Sequence, residues 1–195
     1  MKKHQTGLKN TMITVDQLDK FVLRKYAEKY VDSINETLEK FNINTPPRIR
    51  HFLAQILHES GNLVYSEEIA SGSAYEGRKD LGNIVKGDGV KYKGRGLVQV
   101  TGRANYAAIS KDLGVDFIKE PGLLATSKYA ALSAGWFWDK KNLSFYADFA
   151  DDAKLTHNKV KELSPIQVIT YKINGGQNGI EDRIKNYYLA KTFIK

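Results

Sequence analysis

Apolar residues recur at helical spacing along most of the chain, and this pattern predicts a mainly helical fold. Near the start, Thr14 and Gln17 have the spacing of a capping box, in which a hydroxyl and an amide satisfy free N–H groups at the helix start. Further helical patterns occupy residues 34–41, 130–138, 165–174 and 180–188. Because no repeat or linker interrupts them, we expect a single domain over residues 14–195, preceded by a polar, poorly ordered leader at residues 1–13.

The clearest helix is predicted between Thr45 and Gly61, and it carries a glutamate near its end. Thr45 suits an N-cap, and the Pro46-Pro47 pair suits the first turn. Apolar residues from Ile49 to Leu57 follow an i, i+3, i+4, i+7 pattern, and Gly61 provides a stop. Glu59 falls about 80° from the centre of this apolar stripe. We therefore expect Glu59 to be half-buried at the edge of the core.

A glycine-rich stretch at residues 70–103 predicts loops and a small sheet, where catalytic groups often lie. Short extended segments are predicted at 90–92 and 97–101. Alternation along the second segment places Gln99 and Thr101 on one face, where they can bind a sugar N-acetyl group or a water molecule. A hairpin packed beneath the domain fits the same pattern. Nearby residues that would offer a sugar hydrogen bonds or stacking surfaces are Tyr75, Tyr92, Asn105 and Tyr106.

Two glutamates suggest glycosidic chemistry, which needs a proton-donating acid and usually a second carboxylate. Glu59 suits the acid role, because partial burial favours a neutral carboxyl group. On a continuous helix Glu68 would lie on the opposite face, about 13.5 Å along the axis. The helix must therefore end near Gly61 if Glu68 is to return across a groove. Spacing does not distinguish Glu68 from Glu67, and glutamate pairs are common in a chain with 22 acidic residues.

The amino-acid composition excludes several kinds of catalytic and metal-binding site. The 195 residues include no cysteine, which excludes a disulfide framework, a thiol nucleophile and a cysteine-bound metal. The four histidines have no regular metal-binding spacing, so we predict neither a metal nor a cofactor.

A formal charge of +8 favours an anionic partner such as nucleic acid, phospholipid or a cell-wall polymer. No apolar run is long enough for an integral membrane segment, and the start lacks the apolar stretch of a signal peptide.

Two other motifs fit structural roles better than chemical ones. The aromatic run Trp136-Phe137-Trp138 lies in an apolar helix, so we assign it to the core rather than to a sugar platform. Asn174 precedes two glycines and is first of all part of a helix stop.

Taken together, the segments from Pro47 to Tyr188 resemble the family 19 chitinases and the phage endolysins related to them. Five blocks occur in family order, which makes chance agreement improbable. The blocks are Phe52-Leu53-Ala54-Gln55 with His58-Glu59-Ser60-Gly61, Tyr75-Glu76-Gly77-Arg78 with Asp80-Leu81-Gly82-Asn83, Tyr92 to Gly102 with Asn105-Tyr106, Trp136-Phe137-Trp138, and Ile173-Asn174-Gly175-Gly176 with Asn178-Gly179 and Asp182-Arg183.

The resemblance implies a mainly α, lysozyme-like domain with two lobes and a small sheet beside a substrate groove. It matches Glu59 to the general acid and Glu68 to the base that activates water in an inverting mechanism. Thr101 matches a residue that helps to hold that water. Groove positions that bind sugar or organise the acidic pair are matched by Gln99, Asn105, Asn174 and Arg183.

The chain departs from the plant enzymes of the family in ways that favour the endolysin branch. It has no cysteines, Leu97 replaces the proline common after Gly-Arg-Gly, and no chitin-binding module is attached. We therefore predict a monomeric endolysin-type glycosidase whose partner is peptidoglycan rather than chitin. Without a signal peptide, it would be made in the host cytoplasm and reach the wall after membrane permeabilisation.

Other functions remain as alternatives. A chitinase acting on poly-N-acetylglucosamine is the nearest, followed by a lytic transglycosylase, which also has a Glu-Ser pair and a Gly-Leu-x-Gln segment but makes an anhydro-sugar. A nucleic-acid-binding module is disfavoured, because the basic residues are spread along the chain and form no known binding motif. A non-catalytic wall-binding module would leave the two glutamates without a role.

Overall fold

The computed structural model describes residues 12–195, and in this range the protein is mostly helical. None of the helices described there has the length and apolar character needed to cross a membrane. The helices are α1 (Val15–Leu18), α2 (Arg24–Lys40), α3 (Pro46–Glu59), α4 (Asp88–Lys91), α5 (Arg103–Leu113), α6 (Ser127–Lys140), α7 (Leu143–Ala147), α8 (Pro165–Asn174) and α9 (Ile180–Phe193). Single 3₁₀ turns occupy Ser73–Tyr75, Lys79–Leu81 and Pro121–Ala125, and the strands are β1 (Leu155–His157) and β2 (Val160–Leu163).

The predicted helix starts agree closely with the structure. The capping box at Thr14 forms, and a second one joins Ser164 to Gln167 at the start of α8. Helix α3 begins directly after Thr45 and ends at Glu59, followed by Gly61 with a φ of 56°. Side-chain caps therefore mark the starts of α1 and α8, whereas Thr45 occupies the predicted N-cap position of α3 without a side-chain cap hydrogen bond.

The mostly helical structure confirms the predicted fold class, and the two larger of the three hydrophobic clusters in the described residues give the domain its two lobes. The larger core joins side chains of α1, α2, α3, α6 and α9, while the smaller one gathers residues around α5. Helix α6 belongs to both, because Trp138 packs in the larger core and Trp136 in the smaller. This shared helix explains why the 130–138 segment is apolar on all sides.

The position of the sheet was predicted wrongly. Residues 90–92 lie at the end of α4, and residues 97–101 form turns closed by two hydrogen bonds between Arg95 and Val100. Gln99 has a φ of 53°, a left-handed conformation that an extended strand cannot contain. The sheet is instead the antiparallel β1–β2 hairpin.

Met12 and Ile13, the last two residues of the predicted leader, are bound to α2. Ile13 is 1% exposed, and Asn35 accepts hydrogen bonds from the backbone N–H groups of Met12 and Ile13, both at 3.0 Å. These two residues therefore belong to the folded domain. The rest of the predicted leader, residues 1–11, lies outside the described residues.

Candidate active site

Glu59 is oriented by a buried arginine from another helix. The Nη2 atom of Arg183, on α9, lies 2.5 Å from Glu59 Oε1, and its Nη1 atom donates to Gln55 Oε1. Arg183 is only 1% exposed, whereas the Glu59 side chain is 23% exposed. The guanidinium thus fixes one oxygen of a carboxyl group that stays partly open to solvent. This matches the predicted position of Glu59 at the edge of the core.

Asn174 lies in the same network, one step further from Glu59. Its amide nitrogen donates to the carbonyl of Asn178 at 3.0 Å, and the Nε atom of Arg183 donates to that carbonyl at 3.3 Å. The Asn174 oxygen accepts from the N–H of Gly176. The side chain therefore shapes the turn between α8 and α9, as its helix-stop position predicts.

Glu68 occupies a second cluster, formed by the loops that follow α3. Its Oε1 accepts from the hydroxyl of Tyr75 at 2.9 Å, and its Oε2 accepts from the N–H of Gly94 at 3.1 Å. Partial burial, together with the hydrogen bond to Glu68, raises the pKa of Tyr75 above its usual value. Tyr75 consequently remains a neutral donor to Glu68 throughout the physiological range.

Glu67 points to a different set of partners from those of Glu68. Its Oε1 lies 3.0 Å from the guanidinium of Arg95 and 3.3 Å from the ammonium of Lys93. Arg95 is almost buried and also donates to the Tyr106 hydroxyl. The Glu67 carboxylate is thus bound to the cations of the loop, while the Glu68 carboxyl accepts only neutral donors.

Gly94 brings three of the predicted site residues together. A methyl group placed on Gly94 would lie 2.6 Å from Gln99 Oε1, 3.2 Å from Glu68 Oε2 and 3.3 Å from Thr101 Oγ1. The oxygens of these side chains therefore converge on the space beside one glycine. Asn105, at the start of α5, supports the group by donating to the backbone carbonyl of Thr101 at 2.8 Å.

The burial of Tyr92 and Tyr106 contradicts their predicted role as sugar-stacking surfaces. Both rings are fully buried and pack against each other in the smaller core, with centroids 5.1 Å apart. Their hydroxyls donate to backbone carbonyls, at Ile118 for Tyr92 and at Lys93 for Tyr106. Apolar rings of this size are needed to fill the core of the small lobe. Tyr75, by contrast, remains partly exposed beside Glu68.

An open pocket of about 600 Å³ adjoins the Gln99 and Thr101 side. Asn105 and Phe137 also line it, so Phe137 is not purely a core residue. Trp136 borders this pocket but is only 8% exposed, and Trp138 is buried, as predicted. Among residues 12–195, no group of three or more His, Asp or Glu side chains is arranged to hold a metal ion.

Gln55 and Gly94 also build the site, although the sequence pattern assigns neither of them a role. Gln55 precedes Glu59 by four residues, so the two share a helix face, and this spacing was a usable signal. Gly94 offered no such signal, because its contribution is the space that it leaves open.

Comparison with known sequences decides the family. The profile of glycoside hydrolase family 19, described as chitinase class I, matches residues 51–187. The chain belongs to glycoside hydrolase family 19. The match includes both glutamate clusters and Arg183, and membership makes the protein a glycoside hydrolase, an enzyme that acts on glycans.

Relatives come from bacteria and plants. A family 19 domain-containing protein of Haemophilus influenzae is 31% identical over 186 residues, covering 80% of this chain and 84% of the relative. An endochitinase of Arabidopsis thaliana is 35% identical over 148 residues, covering 72% of this chain. The matched region is 45% of that endochitinase, so this chain spans under half of its length.

Solved structures show the same fold. Chitinase C from Streptomyces griseus superimposes with a TM-score of 0.67 at 17% identity, covering 96% of this chain and 78% of that chain. A class IV chitinase from Zea mays gives a TM-score of 0.62 at 20% identity, covering 91% and 84%. The two-lobed helical architecture is therefore that of family 19.

Proposed function

We propose that the protein hydrolyses the β-1,4-linked amino-sugar backbone of bacterial peptidoglycan, as an endolysin-type enzyme. The observation that carries this proposal is the pair of carboxyl groups set by separate hydrogen-bond networks. Glu59 is fixed by Arg183, and Glu68 is fixed by Tyr75 and the N–H of Gly94. Each carboxyl group is only partly buried, so each stays accessible to a glycan strand.

The proposed mechanism assigns one task to each carboxyl group. Glu59 donates its proton to the glycosidic oxygen as the bond from that oxygen to the anomeric carbon breaks. Glu68 accepts a proton from a water molecule, whose oxygen bonds to the anomeric carbon from the opposite face. Gln99 and Thr101 converge with Glu68 beside Gly94, and they would position this water. The reaction inverts the configuration at the anomeric carbon.

The surface charge supports a wall polymer as substrate. The chain carries a formal charge of +8, and bacterial envelopes are polyanionic, so long-range attraction speeds their encounter. As an endolysin, the protein would reach the wall after another protein has permeabilised the membrane. Expression with and without a pore-forming partner tests this step, because lysis is expected only when both are present.

Chitin is the second candidate substrate. It is favoured by the names of the plant relatives, which are endochitinases, and by the structural neighbours, which are chitinases. Both polymers have a β-1,4-linked backbone with N-acetyl groups. The catalytic residues would act in the same way on either.

Digestion of purified peptidoglycan and of chitin, followed by mass spectrometry of the new ends, tests the substrate and the reaction together. We expect faster cleavage of peptidoglycan, with one water added for each glycosidic bond that is broken. Products lacking that water would reveal an anhydro-sugar and a transglycosylase. Cleavage of chitin alone would establish the second candidate.

The acid assignment has its own test. Glu59→Gln should abolish wall lysis, because an amide has no proton to donate to the glycosidic oxygen. Circular dichroism and the melting temperature would show that the variant is folded. Near-normal lysis by such a folded variant would remove Glu59 from the mechanism.

A further inference from the structure

The pocket of about 600 Å³ beside Gln99 and Thr101 has more room than the catalytic groups need. Its volume lies within the range of small-molecule sites, roughly 300–1,000 Å³. Apolar side chains cover much of its surface, including Val98, Trp136 and Phe137. It therefore combines an apolar wall with a direct connection to the groups proposed to hold the attacking water.

Two lysines at the end of α6 and just beyond it give this pocket a positive rim. Lys140 is paired with Asp112, whose Oδ2 lies 3.0 Å from the ammonium and also accepts from the Trp136 indole at 2.7 Å. Lys141 makes no ion pair with any residue that the structure describes, and its ammonium lies 5.6 Å from the Phe137 ring centre. None of the residues that line the pocket is acidic.

The positive character continues into a neighbouring depression. Lys141 also lines a second pocket, of about 320 Å³, together with His157, Lys172 and Gly175. Gly175 directly follows Asn174, which belongs to the network around Arg183 and Glu59. Lys141 thus lines both pockets, one beside Gln99 and Thr101 and the other beside the turn that follows α8.

The two candidate polymers differ in the chemistry that this surface would recognise. A chitin strand bears hydroxyl and N-acetyl groups but no charge. In peptidoglycan, alternate sugars carry a lactyl-linked peptide with methyl side chains and free carboxylates. An apolar wall with a cationic rim is complementary to that peptide, whereas an uncharged chitin strand has no carboxylate to pair with the rim.

We propose that the pocket at Lys141 is a subsite for the anionic peptide attached to the peptidoglycan strand, and that it sets the preference for peptidoglycan over chitin. This inference rests on the proposed function, since it explains substrate choice at the same active site. The apolar wall takes the alanine methyl groups, and Lys141 pairs with a peptide carboxylate.

The test compares glycan strands that carry their peptides with the same strands after an amidase has removed the peptides, which leaves only a lactyl carboxylate on each of those sugars. Wild-type enzyme should show a higher kcat/KM on the peptide-bearing strands. Lys141→Gln should reduce this preference about threefold, through KM, which is the size expected for one exposed charge pair. Lys29→Gln on α2 makes the same change in net charge away from both pockets and should leave the preference unchanged.

A second variant pair adds a charge instead of removing one. Ala108 is an exposed α5 residue that lines the pocket, and Ala107 is its exposed neighbour that does not. Ala108→Glu should lower the preference by repelling the peptide, whereas Ala107→Glu should not. A free tetrapeptide containing L-Ala and D-Glu should compete with peptide-bearing strands, and less effectively in Ala108→Glu.

The outcomes separate this inference from the proposed function. Cleavage of both strand forms, with the same preference in Lys141→Gln, Ala108→Glu and wild type, would overturn the peptide subsite alone. Cleavage of chitin but of neither peptidoglycan form would overturn the proposed function, and the subsite with it.

Discussion

Neighbouring glutamates in this protein have opposite surroundings, although sequence spacing treats them alike. Glu67 forms ion pairs with Arg95 and Lys93, so it connects the segment after α3 to the loop that follows α4. Glu68 accepts hydrogen bonds from a tyrosine hydroxyl and a backbone N–H, and its Oε2 faces the space shared with Thr101. At the residue scale, only Glu68 has the surroundings of a group that handles water.

This difference predicts opposite results for two single substitutions. Glu68→Gln should lower kcat by about 10³-fold, within the range usual for loss of a general base. Glu67→Gln should keep kcat within about threefold of wild type, while losing about 1 kcal/mol of stability from the weakened ion pairs. Initial rates and thermal unfolding measure the two effects. The reverse pattern would assign the catalytic role to Glu67.

At the scale of elements, the loop from Gly94 to Thr101 is the part that sets the geometry of the proposed water site. It is held by the Arg95–Val100 backbone bonds and by Glu68, whose N–H donates to the Gly94 carbonyl at 2.9 Å. The space beside Gly94 exists only because this residue has no side chain. A side-chain atom added there would crowd the space between Gln99, Thr101 and Glu68 that is proposed for the attacking water.

Gly94→Ala should therefore abolish most activity without unfolding the protein. The backbone of Gly94 is not in the left-handed region, so alanine is compatible with its conformation. The added methyl group would press against Gln99 Oε1 and displace the water between Gln99, Thr101 and Glu68. We expect a fall in kcat of at least about 10²-fold. A folded Gly94→Ala variant with wild-type kcat would show that the water lies elsewhere.

The helices were more predictable than the loops for a physical reason. Caps such as Thr14 and Ser164 act within one turn of chain, so their sequence signal is local. Gln99 adopts its positive φ in a turn that is closed by hydrogen bonds between Arg95 and Val100. The strand propensity of the individual residues does not reveal such a turn. Alternation of apolar and polar residues at 97–101 consequently suggested a strand that does not form.

The site was predicted in part for the same reason. Glu59 could be placed from helix periodicity, because its angle from the centre of the apolar stripe on α3 predicts how deeply it is buried. Tyr92 was misplaced, since ring exposure depends on how α4 packs against Tyr106 in the small lobe. The partnership of Arg183 with Gln55 and Glu59 spans more than 120 positions along the chain, and no local pattern shows which partners such a residue will contact.

For the whole molecule, one buried histidine links stability to pH. His51 on α3 is 1% exposed, stacks on Tyr187 with ring centres 4.3 Å apart, and has no hydrogen-bond partner among the described residues. Burial lowers the pKa of His51 from 6.5 to about 3. Between pH 6.5 and about pH 3, His51 binds a proton in the unfolded chain but not in the folded protein. The contribution of neutral His51 to the free energy of unfolding is therefore fully present above about pH 6.5 and declines as the pH falls towards 3.

Replacing His51 should weaken the dependence of the unfolding free energy on pH. His51→Phe keeps a ring on Tyr187 and removes the titration. From pH 7 to pH 4.5, wild type should lose about 2–3 kcal/mol more unfolding free energy than His51→Phe, at about 1.4 kcal/mol per pH unit below 6.5. Urea unfolding at the two pH values measures this difference, because other titrating groups contribute equally to both proteins. Parallel pH dependence in the two proteins would show that His51 is not buried as a neutral ring.

The proposed mechanism, in which the two carboxyl groups act from opposite faces of the sugar, implies a definite stereochemical result. Proton NMR of the first products of glycan cleavage, recorded before the new reducing ends equilibrate, reads that result directly. Attack by water held at Glu68, while Glu59 protonates the leaving oxygen, predicts that the first product is the α-anomer. A first product in the β configuration would contradict the assigned roles, because retention requires a covalent or substrate-assisted intermediate instead of direct attack by water.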